Sequence, residues 1–135
     1  MKETWHKMLV ASSPKGSVSA EAWADASSPW FSGHFPETPV LPAIAILSMV
    51  RDAVSHHEAE QGRYIGISAI RRVRFRLPAK PDDLLKISAA ASHRPVRTSY
   101  QFKVEVNGQT ACTGLMAVET LRGKNQGPKA ATFLL

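Results

Sequence analysis

A single cysteine, Cys112, stands in the 135 residues, so no internal disulfide can form, and no cluster of Cys and His has the spacing of a structural metal site. That usage fits a reduced, cytoplasmic setting. Long apolar runs are lacking as well. The longest uncharged apolar stretch, Thr38 to Val50, is broken by Pro39 and Pro42 and is shorter than the roughly 18 residues a membrane helix needs. The opening MKETWHKMLV has no apolar core of the signal-peptide kind, so no targeting segment is expected. Aromatics make up only 7% and build no stacking platform among the arginines, so nucleic acid is not expected as a partner.

Acidic residues are outnumbered, 11 against 17 Lys and Arg, for a net charge of +6. A surplus of that sign suits phosphates, acidic proteins and anionic small molecules alike. Hydrophobic residues at 44% and charged residues at 21% exclude a wholly disordered or collagen-like chain. The length suits one domain, whose core would bury roughly two-thirds of the unfolded surface. Its boundaries are expected at 1–121, followed by a flexible basic tail over 122–135 that holds Arg122, Lys124 and Lys129.

Residues 4–11 predict a first strand, and Val18, Ala20, Ala22 and Ala24 alternate with polar neighbours as a second, paired to it as a hairpin. A loop from Ser27 to Pro42 carries five prolines or glycines that forbid helix and ladder alike. From Ala43 the chain is apolar almost all round (Ile44, Ala45, Ile46, Leu47, Met49, Val50), which predicts a buried helix over about 42–58. Pro42 suits its first turn. His56 and His57, at its exit, are expected on the surface near the negative end of the helix dipole.

Beyond Gly62 the pattern is strands to the end. Ile65, Ile67, Ala69, Val73, Phe75 and Leu77 share one parity and Arg72, Arg74 and Arg76 the other. Leu84–Ala91, the run ending at Asn107-Gly108, and Thr110–Leu121 follow, with the Asn-Gly pair as a hairpin turn. Cys112 is expected to be a small buried residue. The arrangement is α+β, two strands, a helix and then an antiparallel meander, with a curved antiparallel sheet wrapped around one long central helix.

Chemistry concentrates in Phe31-Ser32-Gly33-His34-Phe35-Pro36-Glu37-Thr38-Pro39-Val40-Leu41-Pro42-Ala43-Ile44. A histidine in a proline-stiffened loop before a buried helix offers a base near neutral pH. The helix start offers backbone N–H groups to a developing oxyanion, and the apolar face offers a slot for an alkyl chain. This string resembles the Gly-His-Phe-Pro-x-x-Pro-[Val/Ile]-x-Pro-Gly motif of the β-hydroxyacyl-acyl-carrier-protein dehydratases. Val73-Arg74-Phe75-Arg76-x-Pro78-x-x-Pro81-x-Asp83-x-Leu85 is similar to the segment that follows that family's helix.

The resemblance implies a hotdog fold, a dimer joined sheet edge to sheet edge, and pockets at the dimer interface that bind acyl-carrier-protein or coenzyme A thioesters with no cofactor or metal. It implies His34 as the base and a helix residue as the acid. The family's helix carboxylate falls on Ser48, and its glycine after the last proline on Ala43. Asp52, one turn past Ser48, is the nearest replacement acid. Phe31, Gly33, Phe35, Pro42, Ala43, Ile44 and Leu47 are expected around the substrate. Arg72, Arg74 and Arg76, with Arg71 and Lys80, are candidates to dock an acidic carrier protein.

Three activities remain open on these residues: dehydration of 3-hydroxyacyl thioesters, acyl-thioester binding with little or no turnover beside a partner dehydratase, and thioester hydrolysis with Asp52 as base or nucleophile. An alternative reading takes Ser48 as a small helix residue bonded back to the Ile44 carbonyl, and Asp52 as a solvated charge beside a basic neighbour.

Overall fold

The computed structural model describes residues 5–12, 16–31, 39–93 and 98–121. The expected tail over 122–135 lies outside the described residues, as do Gly33, His34, Phe35 and Glu37. In chain order the elements are β1 (Lys7–Ser12), β2 (Ser17–Trp23), a 3₁₀ turn (Pro29–Phe31), α1 (Ala43–Glu60), β3 (Ile65–Phe75), β4 (Leu85–His93), β5 (Thr98–Val106) and β6 (Gln109–Thr120). The strands form one antiparallel sheet in the order β1-β2-β4-β5-β6-β3. Helix α1 packs on β1, β2, β3 and β4. This is the hotdog arrangement that the motif implies. No helix among the described residues is long and apolar enough to cross a membrane.

The expected meander is corrected at one point, because β3 does not pair with β4 but lies at the far edge against β6. The place beside β2 goes to β4, for which the packing gives a reason. Val18 faces Ala89, Ala20 faces Ile87 and Ala22 faces Leu85, so each pair on this buried face sets an alanine against a larger side chain. β5 and β6 are joined as the sequence predicts: Asn107 and Gly108 take φ of 53° and 77° between the paired Val106 and Gln109, the signature of a type I′ turn.

The helix buries one face, made of Ala45, Ile46, Met49, Val50, Ala53, Val54, His57 and Glu58. These positions recur at intervals of four, the stripe that a 3.6-residue period directs to one side. The expectation of an all-round buried first half is thereby corrected: Ala43 and Ile44 are exposed, and Leu47 and Ser48 are half-buried. One sheet covers one side of a helix. His57 is likewise corrected from surface to core, only 2% exposed, since it continues the line of Val50 and Ala53. Its Nδ1 is buried with no hydrogen-bond partner among the described residues.

At its C-terminus α1 closes with a left-handed Gly62 at φ 82°. Arg63 N–H donates to the Glu58 carbonyl at 2.9 Å and Gly62 N–H to that of Ala59 at 2.9 Å, the paired bonds of a Schellman motif. The same turn aims the Arg63 Nε at the buried Glu58 carboxylate, 2.6 Å away, while the Tyr100 hydroxyl donates to its other oxygen. Burial alone pushes the Glu58 carboxyl upward; these two donors outweigh it and hold it below its ordinary value.

Edge strand β3 is interrupted twice. Its register to β6 slips between Ile67 and Ala69 and again between Arg71 and Arg74, so the unbroken alternation expected from the sequence is replaced by two parity reversals. Arg71 and Arg74, opposite Leu115 and Thr113, now share a face, and Arg72 sits at the second bulge with φ 57°. Arg76 lies one residue past the strand, its N–H donating to the Ala111 carbonyl at 2.7 Å. Beneath the second bulge β6 has Gly114, where an added Cβ would lie 2.7 Å from Phe102 Cζ and 3.2 Å from Val73 Cγ2.

Gly114→Ala is expected to cost about 1–3 kcal/mol by overpacking, because the Phe102 ring is itself locked in the core. Urea unfolding measures this, and an unchanged midpoint would refute the crowding. Tyr100→Phe removes a bond to a charged acceptor and should cost roughly 1.5–3 kcal/mol near pH 7. Glu58 has a lowered native pKa, so the stability it contributes is complete above the unfolded value of about 4.3 and fades as pH falls through the lower native one. The gap between wild type and Tyr100→Phe should therefore narrow below about pH 4; a gap independent of pH would contradict the ionised pairing.

Candidate active site

The residue preceding α1 is Pro42, with φ −67° and ψ 157°, and no side-chain cap bond forms there. Its carbonyl accepts from the N–H of Ala45 at 2.9 Å and of Ile46 at 3.4 Å. The N–H groups of Ala43 and Ile44 have no acceptor among the described residues, at the end of the helix where the dipole is positive. This turn is fixed from behind. Leu41, buried, donates its N–H to the Ala79 carbonyl at 2.8 Å, and Ala79 is buried in turn. The Asp83 carboxylate accepts from Lys80 N–H at 2.8 Å and closes the adjoining turn.

Several expected substrate-side residues come together here. Ile44 is 61% exposed and Leu47 half-buried on the uncovered side of the helix, with Ser48 half-buried one turn beyond Ile44. Phe31, by contrast, is buried in the core at the end of the 3₁₀ turn.

Asp52 is not a free acid. Its Oδ2 lies 2.9 Å from His6 Nε2, and its Oδ1 accepts from Arg51 at 3.1 and 3.3 Å. Partial burial raises its pKa, but the hydrogen bonds from His6 and Arg51 outweigh that and hold the carboxyl below its ordinary value. An ionised, doubly engaged carboxylate accepts protons poorly and donates none. The Cys112 thiol is no nucleophile either, because burial pushes it up to about 11.

His6 is the residue that sequence reasoning missed. It stands 46 positions from Asp52, and a lone histidine at the start of a strand carries no local signal. Its Nδ1 lies 3.1 Å from Trp30 Nε1. An indole N–H can only donate, so Nδ1 is the acceptor and Nε2 carries the proton given to Asp52. Around this pair the Ser28 hydroxyl donates to the Trp5 carbonyl at 2.6 Å and accepts from Trp30 N–H at 3.1 Å. Trp5 and Trp30 meet edge to face, centroids 4.8 Å apart.

Arg72, Arg74 and Arg76 are all exposed. Arg72 lines a groove of about 450 Å³ on the outer face of the sheet with Gln101, Lys103, Thr113 and Leu115. Among the described residues, no group of three or more His, Cys, Asp or Glu side chains is placed to hold a metal ion.

A protein-family model described as ApeI-like, ApeI dehydratase, matches residues 11–115. The curated 3-hydroxyacyl-[acyl-carrier-protein] dehydratase FabZ of Actinobacillus succinogenes is 34% identical over 90 residues, 62% of this chain and 60% of that protein. The chain thus spans about three fifths of the length of the curated relatives it matches. Among solved structures, the dehydratase heterocomplex ApeI:P from Xenorhabdus doucetiae superposes with a TM-score of 0.63 at 23% identity, covering 77% of this chain and 88% of that one. A hypothetical thioesterase protein with coenzyme A from Streptococcus pneumoniae gives 0.69 at 10% identity, over 85% and 86%. At these identities the two structures bear on the fold.

Proposed function

The chain belongs to the ApeI-like dehydratase family, and we propose that it acts on 3-hydroxyacyl thioesters carried by an acyl carrier protein or coenzyme A, with His34 as the base. The observation that carries this reading is the start of α1, uncapped among the described residues, with Ile44 and Leu47 uncovered beside it, soon after the Gly33-His34-Phe35-Pro36 string. His34 takes a proton from the carbon next to the thioester carbonyl. The open N–H groups of Ala43 and Ile44 stabilise the negative charge that moves onto the carbonyl oxygen. As the carbon–carbon double bond forms, the bond to the β-hydroxyl breaks and water leaves.

Water needs a proton at the departing oxygen. Ser48 is a neutral hydroxyl, suited to hold that oxygen but not to acidify it, and Asp52 is occupied by His6 and Arg51. The proton that His34 has taken is then the one available to the leaving group, and turnover is slow. The engagement of Asp52 counts against a thioesterase with that residue as base. It favours as second reading an acyl-thioester-binding subunit with little turnover of its own, paired with a dehydratase that carries the acid.

Association follows from the sheet. Among the described residues β3 has β6 on one side only, and Ile70 and Phe75 on it are 41% and 45% exposed. An open edge of that length with apolar side chains calls for a covering strand, and a second copy joined along β3 in the cytoplasm supplies it. The arginines beside that edge suit an acidic carrier protein.

Absorbance of the conjugated enoyl thioester formed from a medium-chain 3-hydroxyacyl thioester tests these readings. Slow wild-type turnover is expected, with a loss of about a hundredfold or more in His34→Ala and a gain in Ser48→Glu. A silent wild type beside an active Ser48→Glu would favour the binding subunit. Release of free thiol would sink both.

A further inference from the structure

We infer that His6, Trp30 and Asp52 form a positioning latch that fixes where the chain enters the segment bearing His34. The inference rests on the proposed role of His34 and adds residues that the resemblance does not include. Trp30 lies four positions before His34, and Phe31 is the last described residue ahead of it. The exit from that segment is held at Leu41 by its bond to Ala79. The entry has its own anchor.

That anchor is a relay of directional bonds reaching the middle of the helix. Trp30 Nε1–H donates to His6 Nδ1 at 3.1 Å, and His6 Nε2–H donates to Asp52 Oδ2 at 2.9 Å. His6 is 9% exposed, so solvent has little access to its ring nitrogens, while the Asp52 side chain is 41% exposed. Arg51 holds the far oxygen of the same carboxylate, which keeps it turned toward His6. The 3₁₀ turn is closed by Phe31 N–H donating to the Ser28 carbonyl at 3.0 Å, and the Ser28 hydroxyl ties it to the Trp5 carbonyl just ahead of β1. Asp52 lies one helical turn past Ser48, so one element references both the loop entry and the helix side of the site. A base displaced by about 1 Å can lose up to a hundredfold in rate, and the latch guards against such displacement.

The geometry specifies what a replacement must do at position 6, namely accept from Trp30 and donate to Asp52. A glutamine amide has both functions; alanine has neither. The test compares wild type, His6→Ala, His6→Gln and Trp30→Phe, with Tyr100→Phe as a variant destabilised elsewhere. For each, kcat and KM for the 3-hydroxyacyl thioester and hydrogen exchange of the amides of residues 28–31 are measured. His6→Ala and Trp30→Phe should lose about tenfold in kcat with KM within about twofold, together with faster exchange at Trp30 and Phe31. His6→Gln should recover most of the rate, and Tyr100→Phe should keep kcat despite its lower melting temperature.

Unchanged exchange in His6→Ala would overturn the latch outright. Faster exchange with kcat no lower than in Tyr100→Phe would overturn its positioning role. A wild type without turnover would instead remove the dehydratase reading. The latch is then decided by hydrogen exchange alone: faster exchange at Trp30 and Phe31 in both His6→Ala and Trp30→Phe, restored in His6→Gln and absent in Tyr100→Phe, would uphold it, and rates equal to those of the wild type would overturn it.

Discussion

An 18-residue helix with apolar side chains around most of its circumference has one sheet to lie against, and a sheet covers one side of it. The buried stripe from Ala45 to Glu58 meets the concave face of the sheet and joins the strand side chains in one core. Each large side chain in it, such as Ile46 or Met49, contributes on the order of 1.5–3 kcal/mol by leaving water. What remains uncovered is as consequential. Ile44, Leu47 and Ser48 stay accessible on the other side, toward the helix start, where the N–H groups of Ala43 and Ile44 have no acceptor among the described residues. The apolar surface and the positive helix end thus coincide because both are left over from the same packing arrangement.

Two polar clusters brace that helix, and they do different work. Near the exit, Glu58 is held by Arg63 and Tyr100 inside the protein, where an unpaired carboxylate would be severely penalised. Midway, Asp52 is held by His6 and Arg51 at the surface. Together they account for the two acids in the second half of the helix whose pKa values are lowered, which leaves each as an acceptor in a fixed network.

Much of the architecture was legible because it is local. The apolar run after Pro42, the alternation in β2 and β5 and the Asn107-Gly108 turn each follow from side-chain period or backbone sterics within a few residues. What escaped is long-range. The choice of β4 over β3 as neighbour of β2 depends on how Ala20 fits Ile87 across the ladder, and the bulges of β3 depend on Gly114 and Phe102 in other strands. His57 reads as a terminal histidine by position, but the phase of the buried face decides its place. For the candidate site, the helix start could be read from Pro42 and Ile44. The engagement of Asp52 could not, since its partner His6 is distant in the chain and has no motif.

The interruptions in β3 bear on how selective its open edge is. A straight edge of eleven residues would accept nearly any extended peptide, because backbone ladders carry no side-chain code. The slips at Ile67–Ala69 and Arg71–Arg74 cut it into short stretches that are offset from one another, with a left-handed Arg72 between two of them. A strand that follows all of them must bend at the same intervals. The edge therefore works less like adhesive tape than like a key profile, admitting a chain with matching notches and refusing the generic strands that seed aggregates.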